Sequence, residues 1–365
     1  MKESLKPVTI LTGFLGAGKT TFLNHLLQTN KDTRYAIIEN EFGEQGIDGE
    51  LVVRPDETIV ELNNGCLCCT LNDNLYDILN ELYSRRDDFD EIIIEATGVA
   101  DPTGLAQPFI THPTVKKQFP LKGIICLVDA EYIEDHLKET EEAKSQVSYS
   151  DVLFINKTDL VSEIYVKELE KRLKVLNPLA KVVIGNKNEI PAIDFDHQNS
   201  LLDELLQKSN SSHHHHDHDH HHDHDHNHDH DHHHHHEHSS EDDQQFPVQK
   251  PHHHHHHDHT EDIVSQTFYF DEPFDYPLLD RNLFVYLMFQ SAGLYRMKGL
   301  IWLNGSDEQY LIQSVGKRLD FEEKRSWKPG EKKQSMIVFI GKHLKREGLE
   351  KILNRCIASN AVKAN

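Results

Sequence analysis

The sequence lacks any apolar run near 18 residues, and no basic segment followed by an apolar stretch stands near its start. It therefore shows neither a membrane span nor a secretory leader, and the cytoplasm is the predicted location. Cysteine is also scarce: there are five in 365 residues, and three of these crowd between positions 66 and 69. This pattern favours a reducing compartment, where thiols serve metals or redox chemistry rather than structural disulfides.

Basic residues are too few to balance the acidic ones, with 38 Lys and Arg against 61 Asp and Glu. About half of the net charge of −23 comes from residues 213–262, which carry 13 acidic residues and one Lys. The excess argues against nucleic acid or an anionic membrane as a partner. Because it is concentrated in one segment, it says little about the fold.

A glycine-rich loop follows the apolar run at residues 8–11 and precedes a segment with helical spacing. This GxxxxGKT motif predicts a phosphate-binding loop, in which backbone N–H groups and a helix N-terminus hold phosphates. Lys19 would neutralise the β and γ oxygens, and the Thr20 hydroxyl would bind Mg²⁺. The predicted nucleotide-binding residues of the loop are Gly13, Gly16, Ala17, Gly18, Lys19, Thr20 and Thr21.

The choice of nucleotide is predicted from an NKTD motif that directly follows the apolar segment DVLFI. Asp159 can accept hydrogen bonds from the guanine N1–H and exocyclic amine, a donor pair that adenine lacks. Asn156, Lys157 and Asp159 are therefore the predicted base-binding residues, and the nucleotide is GTP or GDP. A polar turn is the alternative reading of such a motif. The segment at Gly185 and Asn186 is a candidate for a further base contact.

Between these motifs, the segment EIIIEATG resembles a DxxG element with Glu in place of Asp. Glu95 could hold Mg²⁺ through a water molecule, and the Gly98 N–H could sense the γ-phosphate. The residues predicted to carry GTP hydrolysis are therefore Lys19, Thr20 and Glu95. No residue identifies itself as a water-positioning Gln or an arginine finger, so slow intrinsic hydrolysis is expected.

The cysteine cluster, Cys66, Cys68 and Cys69, predicts a metal site for Zn²⁺ or Cu(I). Three thiols at this spacing can converge in a tight turn. Glu39 and Glu44, in a segment where a switch loop is expected, are candidate oxygen ligands. A redox pair and inert turn cysteines remain alternatives.

The other cysteines and isolated histidines are expected to have ordinary structural roles. Cys126 is predicted to be packed in a strand and Cys356 in a C-terminal helix. His25 and His343 are read as ordinary surface or core residues. His112 is an outside candidate for a metal contact.

Alternation of apolar runs with helical segments predicts an α/β fold for residues 1–208, with a mostly parallel sheet. Residues 209–262 are predicted to be a disordered His/Asp-rich linker, because a low-complexity segment cannot bury a core. Residues 263–365 are predicted to form a small α+β domain with an antiparallel sheet.

The segments GFLGAGKTT, ENEFGE, GCLCC, EATGVADP and NKTD occur in this order and resemble those of the CobW-like P-loop GTPases. The resemblance extends to YRMKGLIWL and SMIVFIG, and it is closest to the YjiA and zinc-regulated metallochaperone branch. It implies a GTP-dependent metallochaperone whose CxCC cysteines bind zinc, with cobalt or nickel as alternatives. An apo-metalloprotein client is the implied partner, and homo-oligomerisation stays open.

The His tract, residues 213–259, holds 25 of the 30 histidines and is absent from shorter members of that family. Neutral imidazoles beside carboxylates suit Zn²⁺, Ni²⁺, Cu²⁺ or Co²⁺, so the tract is read as a metal store or collector. Two hypotheses follow. In the first, a GTPase delivers metal from a switch-linked CxCC site; in the second, the His tract buffers metal and the GTPase domain is accessory.

Overall fold

The computed structural model describes residues 5–39, 59–61, 71–193, 202–206 and 263–361. Within these ranges the chain forms two β-sheets, each accompanied by helices. The strands of the first sheet are β1 Val8–Gly13, β2 Tyr35–Glu39, β3 Ile59–Glu61, β4 Glu91–Glu95, β5 Leu121–Asp129, β6 Val152–Asn156 and β7 Lys181–Ile184. The accompanying helices are α1 Lys19–Thr29, α2 Leu71–Ser84, α3 Pro102–Thr111, α4 Pro113–Gln118, α5 Ile133–Glu139, α6 Glu141–Tyr149, α7 Glu163–Leu176 and α8 at 202–206.

The first sheet has seven strands in the order β3-β2-β4-β1-β5-β6-β7, and each recorded pairing is parallel. Its central strands read as continuous apolar runs because helices cover both faces, and β1 and β6 are buried along their whole length. The predicted α/β fold with a mostly parallel sheet is confirmed. The carboxyl ends of the strands share one edge of the sheet, where the loops that carry the motifs begin.

The second sheet is antiparallel and has five strands in the order β11-β10-β9-β12-β8. Its elements are β8 Ile263–Phe270, α9 Tyr276–Phe289, β9 Leu294–Trp302, β10 Glu308–Val315, β11 Arg318–Ser326, β12 Ser335–Lys342, α10 Arg346–Asn354 and α11 Ala358–Ala361. The predicted small α+β fold is confirmed. The edge strand β11 was not among the predicted strands.

The two sheets share one continuous apolar cluster. Val128 of β5 and Ile155 of β6 belong to the same buried cluster as Leu300, Val338 and Ile340 of the second sheet. Burial of such side chains contributes about 1.5–3 kcal/mol each. The second sheet therefore packs directly against the domain that carries the nucleotide motifs.

A buried ion pair lies beside this cluster. The Arg296 guanidinium of β9 donates to Asp151 Oδ1 at 2.5 Å and to the carbonyl oxygens of Tyr149 and Ser150 at 2.7 and 2.9 Å. Lys298 Nζ lies 3.4 Å from the same Asp151 oxygen. Separating the partners of such a pair would leave an uncompensated buried charge. Because Arg296 belongs to the second sheet and Asp151 directly precedes β6 of the first, the pair holds the two sheets in position.

The positions of the two isolated cysteines differ in one respect from the prediction. Cys126 is buried in β5, as predicted. Cys356 is buried but lies in the turn after α10, since that helix ends at Asn354. Burial raises the thiol pKa of each to about 12, which keeps both protonated at neutral pH.

The predicted domain boundary at 208/209 and the His tract at 213–259 fall outside the described residues. The predicted boundary at 262/263 coincides with the start of the last described range, where β8 begins. No helix in the described part of the chain is both long enough and apolar enough to span a membrane.

Candidate nucleotide-binding site

The glycine-rich loop connects β1 to α1 at the carboxyl edge of the first sheet. Gly13 ends β1 with φ of 135°, and Gly18 precedes α1 with φ of 95°, both in the left-handed region that L side chains rarely adopt. A Cβ on Gly13 would lie 2.4 Å from the Leu127 carbonyl oxygen of the neighbouring strand β5. Glycine is therefore required at this position both by conformation and by the close approach of β5.

Lys19 is the first residue of α1, and its side chain lies over the loop. Its Nζ donates to the Gly13 carbonyl oxygen at 2.8 Å and to the Phe14 carbonyl oxygen at 3.3 Å. Burial lowers the pKa of Lys19, although nearby Glu95 acts in the opposite direction. A partly desolvated cation beside carbonyl oxygens can exchange these contacts for the oxygens of a phosphate.

Thr20 and Glu95 meet at the start of α1. The Thr20 hydroxyl donates to Glu95 Oε1 at 3.4 Å across 75 residues of sequence. The contact exists because β1 and β4 are neighbours in parallel register, with Leu11 opposite Glu95. A hydroxyl and a carboxylate oxygen are hard donors of the kind that Mg²⁺ prefers, so this pair fits the ion.

The segment after β4 packs on the glycine-rich loop. A Cβ on Gly98 would lie 2.6 Å from the Leu15 backbone nitrogen, so glycine permits the close approach of the two segments. The Ala96 N–H donates to the Leu11 carbonyl oxygen at 2.8 Å, which continues the β1–β4 ladder into the loop. The structure therefore brings Gly98 to the loop that carries the predicted phosphate-binding residues.

The NKTD segment contacts the same loop from β6. Asn156 Nδ2 donates to the Ala17 carbonyl oxygen at 2.9 Å. A Cβ on Gly18 would lie 2.5 Å from this amide nitrogen. Asn156 thus holds the second half of the glycine-rich loop, and the side chain is 6% exposed.

The remaining residues of the NKTD segment lie in a short turn that contacts the loop after β7. Thr158 Oγ1 donates to the Gly185 carbonyl oxygen at 2.9 Å, and Asp159 is exposed on the adjoining 3₁₀ turn. Asn186 Oδ1 accepts from the N–H groups of Asn188 and Glu189 at 2.9 and 3.1 Å. The Asp159 and Asn186 segments, separated in sequence, therefore share one corner of the site.

Two residues of this region were not predicted from sequence. Asp129 Oδ2 lies 2.7 Å from Lys157 Nζ, and the backbone of this lysine lies in the left-handed region at φ of 59°. Asp129 ends β5 directly opposite Asn156, so the strand ending GIICLVD was a signal for it. The His136 ring of α5 lies 4.0 Å, centroid to centroid, from the Phe14 ring of the glycine-rich loop. No sequence signal indicates that second contact.

Most of the predicted metal ligands lie outside the described residues: Cys66, Cys68, Cys69 and Glu44. Of Glu39 the backbone alone is described; it ends β2 opposite Glu95. The described part of the chain contains no group of three His, Cys, Asp or Glu side chains suited to a metal ion.

His112, the outside candidate for a metal contact, has a structural role in the described part of the chain. Its Nδ1 accepts from the Val115 N–H at 3.4 Å at the start of α4, and its ring lies 5.4 Å from that of Tyr76. The residue therefore caps α4 and packs on α2.

The loop between β1 and α1, the Thr20–Glu95 pair and the guanine-type motif at the end of β6 define a P-loop GTPase. The chain belongs to the CobW family. Residues 7–184 match the CobW/HypB/UreG nucleotide-binding domain, and residues 263–357 match the cobalamin synthesis protein cobW C-terminal domain. The resemblance inferred from the motifs is thereby confirmed.

One similar protein and its solved structure match nearly the whole chain, and a second relative matches about half of it. The zinc chaperone YjiA of Escherichia coli K12 is 32% identical over 345 residues, which are 93% of this chain and 95% of that protein. Zinc-regulated GTPase metalloprotein activator 1 of Schizosaccharomyces pombe is 38% identical over 222 residues, 56% of this chain and 54% of the relative. The solved structure of Zn(II)-bound YjiA GTPase from E. coli matches with a TM-score of 0.62 at 29% identity, covering 96% of this chain and 99% of that one.

Proposed function

We propose that this protein is a GTP-hydrolysing metallochaperone that binds zinc and delivers it to an apo-metalloprotein. The observation that carries the proposal is the convergence of three motifs at one edge of the parallel sheet. Thr20 lies 3.4 Å from Glu95, and Asn156 lies 2.9 Å from the Ala17 carbonyl oxygen. The choice of zinc as the metal rests on membership of the CobW family and on similarity to proteins named as zinc chaperones.

The glycine-rich loop is proposed to bind the phosphates of GTP. Lys19 would turn from the Gly13 and Phe14 carbonyl oxygens to the β- and γ-phosphates, and main-chain N–H groups at the start of α1 would complete the cradle. Further main-chain contacts are assigned to Gly13, Gly16, Ala17, Gly18 and Thr21. The base would lie against the corner formed by Asp159 and Asn186, where the exposed Asp159 carboxylate can accept from guanine.

Mg²⁺ is assigned to the Thr20 hydroxyl and the Glu95 carboxylate. When bound, the ion neutralises charge on the phosphate oxygens. Glu95 keeps its position because β4 is held between β1 and β2. Gly98, three residues further on, is proposed to donate its N–H to the γ-phosphate and so distinguish GTP from GDP.

Zinc is the cargo, and Cys66, Cys68 and Cys69 are its proposed ligands, with Glu39 or Glu44 as oxygen ligands. Two flanking strands support this placement: β2 ends at Glu39, opposite Glu95, and β3 ends five residues before Cys66. Both strands end at the edge of the sheet that carries the Mg²⁺ pair, and β3 is the strand that precedes the cysteine segment in sequence. A metal site on this segment can respond to the γ-phosphate, which is the coupling that a carrier needs.

Zinc affinity measured by chelator competition tests the proposal. The protein should be a variant lacking residues 213–259, so that the His tract does not compete, in Mg²⁺ with either GDP or a non-hydrolysable GTP analogue. We expect at least a tenfold difference in affinity between the two nucleotides, about 1.4 kcal/mol of coupling. Replacing Cys66, Cys68 and Cys69 with Ser should abolish the difference, whereas the buried Cys126→Ala should preserve it.

Equal zinc affinity with both nucleotides would contradict the chaperone proposal and favour the metal buffer. Cobalt and nickel are alternative cargoes in the same assay, because imidazole and thiolate ligands serve all three ions. A location in the cytoplasm stays a prediction, tested by fractionation. Homo-oligomerisation stays open, and light scattering decides it.

A further inference from the structure

Helix α6 contacts the loop that follows Glu95. Gln146 lies in the interior of this helix and is 1% exposed. Its Nε2 donates to the Gly98 carbonyl oxygen at 3.1 Å and to the Ala100 carbonyl oxygen at 3.2 Å. Both amide hydrogens of one buried side chain are therefore used to hold two carbonyl groups of the same loop.

A second contact from α6 lies one residue earlier. Ser145 Oγ donates to Asp101 Oδ1 at 2.9 Å, and the same carboxylate oxygen accepts from the Thr103 N–H at 2.9 Å at the start of α3. The loop between β4 and α3 is thus attached to α6 at Gly98, Ala100 and Asp101.

Gly98 lies between two fixed surfaces. On one side, the space that its Cβ would need is occupied by Leu15 of the glycine-rich loop, 2.6 Å away. On the other side, its carbonyl oxygen is held by Gln146. Fixing this carbonyl orients the peptide group that joins Gly98 to Val99, and Leu15 limits the space beside the Gly98 Cα. Together the two contacts limit the backbone conformations open to Gly98. They thereby limit the direction of its N–H, which belongs to the preceding peptide group and is proposed to meet the γ-phosphate.

We propose that Gln146 is a positioning residue for GTP hydrolysis. It orients the Gly98 loop so that this loop meets the γ-phosphate and distinguishes GTP from GDP. This inference rests on the proposed role of Gly98. Gln suits the position because a neutral amide donates twice without bringing a charge into the interior. A carboxylate there would face two carbonyl oxygens with no hydrogen to donate.

Gln146→Met tests the inference, because methionine keeps the length of the side chain and removes both donors. In Mg²⁺, affinity for a non-hydrolysable GTP analogue and for GDP is measured, together with kcat and KM for GTP. We expect affinity for the analogue to fall about tenfold while affinity for GDP changes less than twofold, and kcat to fall about tenfold. Ser148→Ala is the matched control: Ser148 lies on the same helix, is 0% exposed, and its Oγ has no partner among the described residues.

Ser145→Ala gives a milder second variant if Gln146→Met unfolds at the assay temperature, and we expect a shift of about threefold in the same direction. An equal loss of affinity for both nucleotides would identify a role in stability alone and overturn the inference. Gly98→Ala distinguishes failure of the Gln146 inference from failure of the proposed role of Gly98. If Gly98→Ala lowers the analogue-to-GDP affinity ratio and Gln146→Met does not, the Gln146 inference is wrong; if neither does, the proposed role of Gly98 falls with it.

Discussion

At the scale of single residues, Gly18 shows why the glycine-rich loop tolerates little change. Its φ of 95° belongs to the left-handed region, and a Cβ would lie 2.5 Å from the Asn156 amide nitrogen. The backbone conformation alone costs an L residue about 1 kcal/mol. The contact adds a second penalty, because Asn156 must leave the Ala17 carbonyl oxygen.

Gly18→Ala should therefore lower GTP affinity at least tenfold and lower the free energy of unfolding by about 2 kcal/mol. Gly305→Ala is the control, since Gly305 also has positive φ, 78°, but has nothing within 4 Å of its Cβ position. It should cost about 1 kcal/mol and leave GTP affinity unchanged. Fluorescent-nucleotide titration and urea unfolding measure the two quantities; equal effects of the two substitutions on affinity would contradict the argument.

Asp151 supplies a pH-dependent contribution to stability. Burial alone would raise the pKa of this carboxyl, but Arg296 and Lys298 lower it from an ordinary value of 3.8 to about 2. Because the folded-state pKa lies below the ordinary one, the unfolded chain binds the proton first as the pH falls. The stabilisation is complete above pH 3.8 and is lost as the pH falls towards 2.

Urea unfolding at pH 5, 4 and 3 should show the stability of the unmodified chain falling with pH more steeply than that of Asp151→Asn. The difference between pH 5 and pH 3 should be about 1 kcal/mol, roughly half of the total that is lost once the pH lies below both pKa values. Asp90→Asn provides the comparison, because Asp90 also has a pKa of about 2 but its Arg34 pair is exposed. Screening by solvent should hold its effect below about 1 kcal/mol. Parallel pH profiles for Asp151→Asn and the unmodified chain would show that the buried pair does not titrate in this window.

At the scale of secondary-structure elements, α6 depends on other elements for the satisfaction of its last carbonyl groups. Asn177, at the end of α7, is fully buried, and its Nδ2 lies 2.8, 3.1 and 2.9 Å from the carbonyl oxygens of Val147, Ser148 and Ser150. Arg296 of the second sheet donates to the carbonyl oxygens of Tyr149 and Ser150. The helix that holds the Gly98 loop is therefore itself held by α7 and by β9.

Asn177→Ala should lower the free energy of unfolding by about 3 kcal/mol, because buried carbonyl groups lose their donor and the Leu179 N–H loses its acceptor. Asn30→Ala is the control: Asn30 is exposed at the end of α1, and its Nδ2 donates to the Leu26 carbonyl oxygen. It should cost less than about 1 kcal/mol. Chemical denaturation measures the free energy of unfolding of both variants. Similar decreases for the two would contradict this account of α6.

The elements that sequence analysis identified are those with long apolar runs or clear helical spacing, such as β5, β6 and α2. The edge strand β11 was missed because its sequence, RLDFEEKRS, is mostly charged. Charged residues are usual at a sheet edge, where they prevent pairing with other chains, so hydrophobicity fails as a signal there. β11 forms because β10 offers a partner over eight residue pairs.

At the scale of the whole molecule, the shared apolar cluster and the Arg296–Asp151 pair predict that the two sheets unfold together. Both tryptophans of the chain, Trp302 and Trp327, belong to the part with the second sheet. Their fluorescence therefore reports on that part, while nucleotide binds to the first. A ligand that binds the native state alone stabilises every element that unfolds cooperatively with its site.

GDP with Mg²⁺ at 100 times its dissociation constant should raise the stability reported by tryptophan fluorescence by about 2.7 kcal/mol. Lys19→Ala should abolish this increase, because the nucleotide no longer binds, while leaving the transition without GDP nearly unchanged. If GDP shifts far-UV circular dichroism and leaves the tryptophan transition in place, the two parts unfold independently and the shared cluster does not couple them.

The sequence by itself determined the glycine-rich loop, the NKTD segment and the parallel sheet that presents them. Those features depend on local spacing, on backbone conformations that glycine allows, and on apolar runs, which can be recognised in sequence without knowledge of their packing partners. The tertiary structure alone decided the contacts between Gln146 and Gly98, 48 residues apart, and between Arg296 and Asp151, 145 residues apart. Such pairs have no fixed sequence spacing, because they depend on how helices and sheets pack, so no local pattern predicts them.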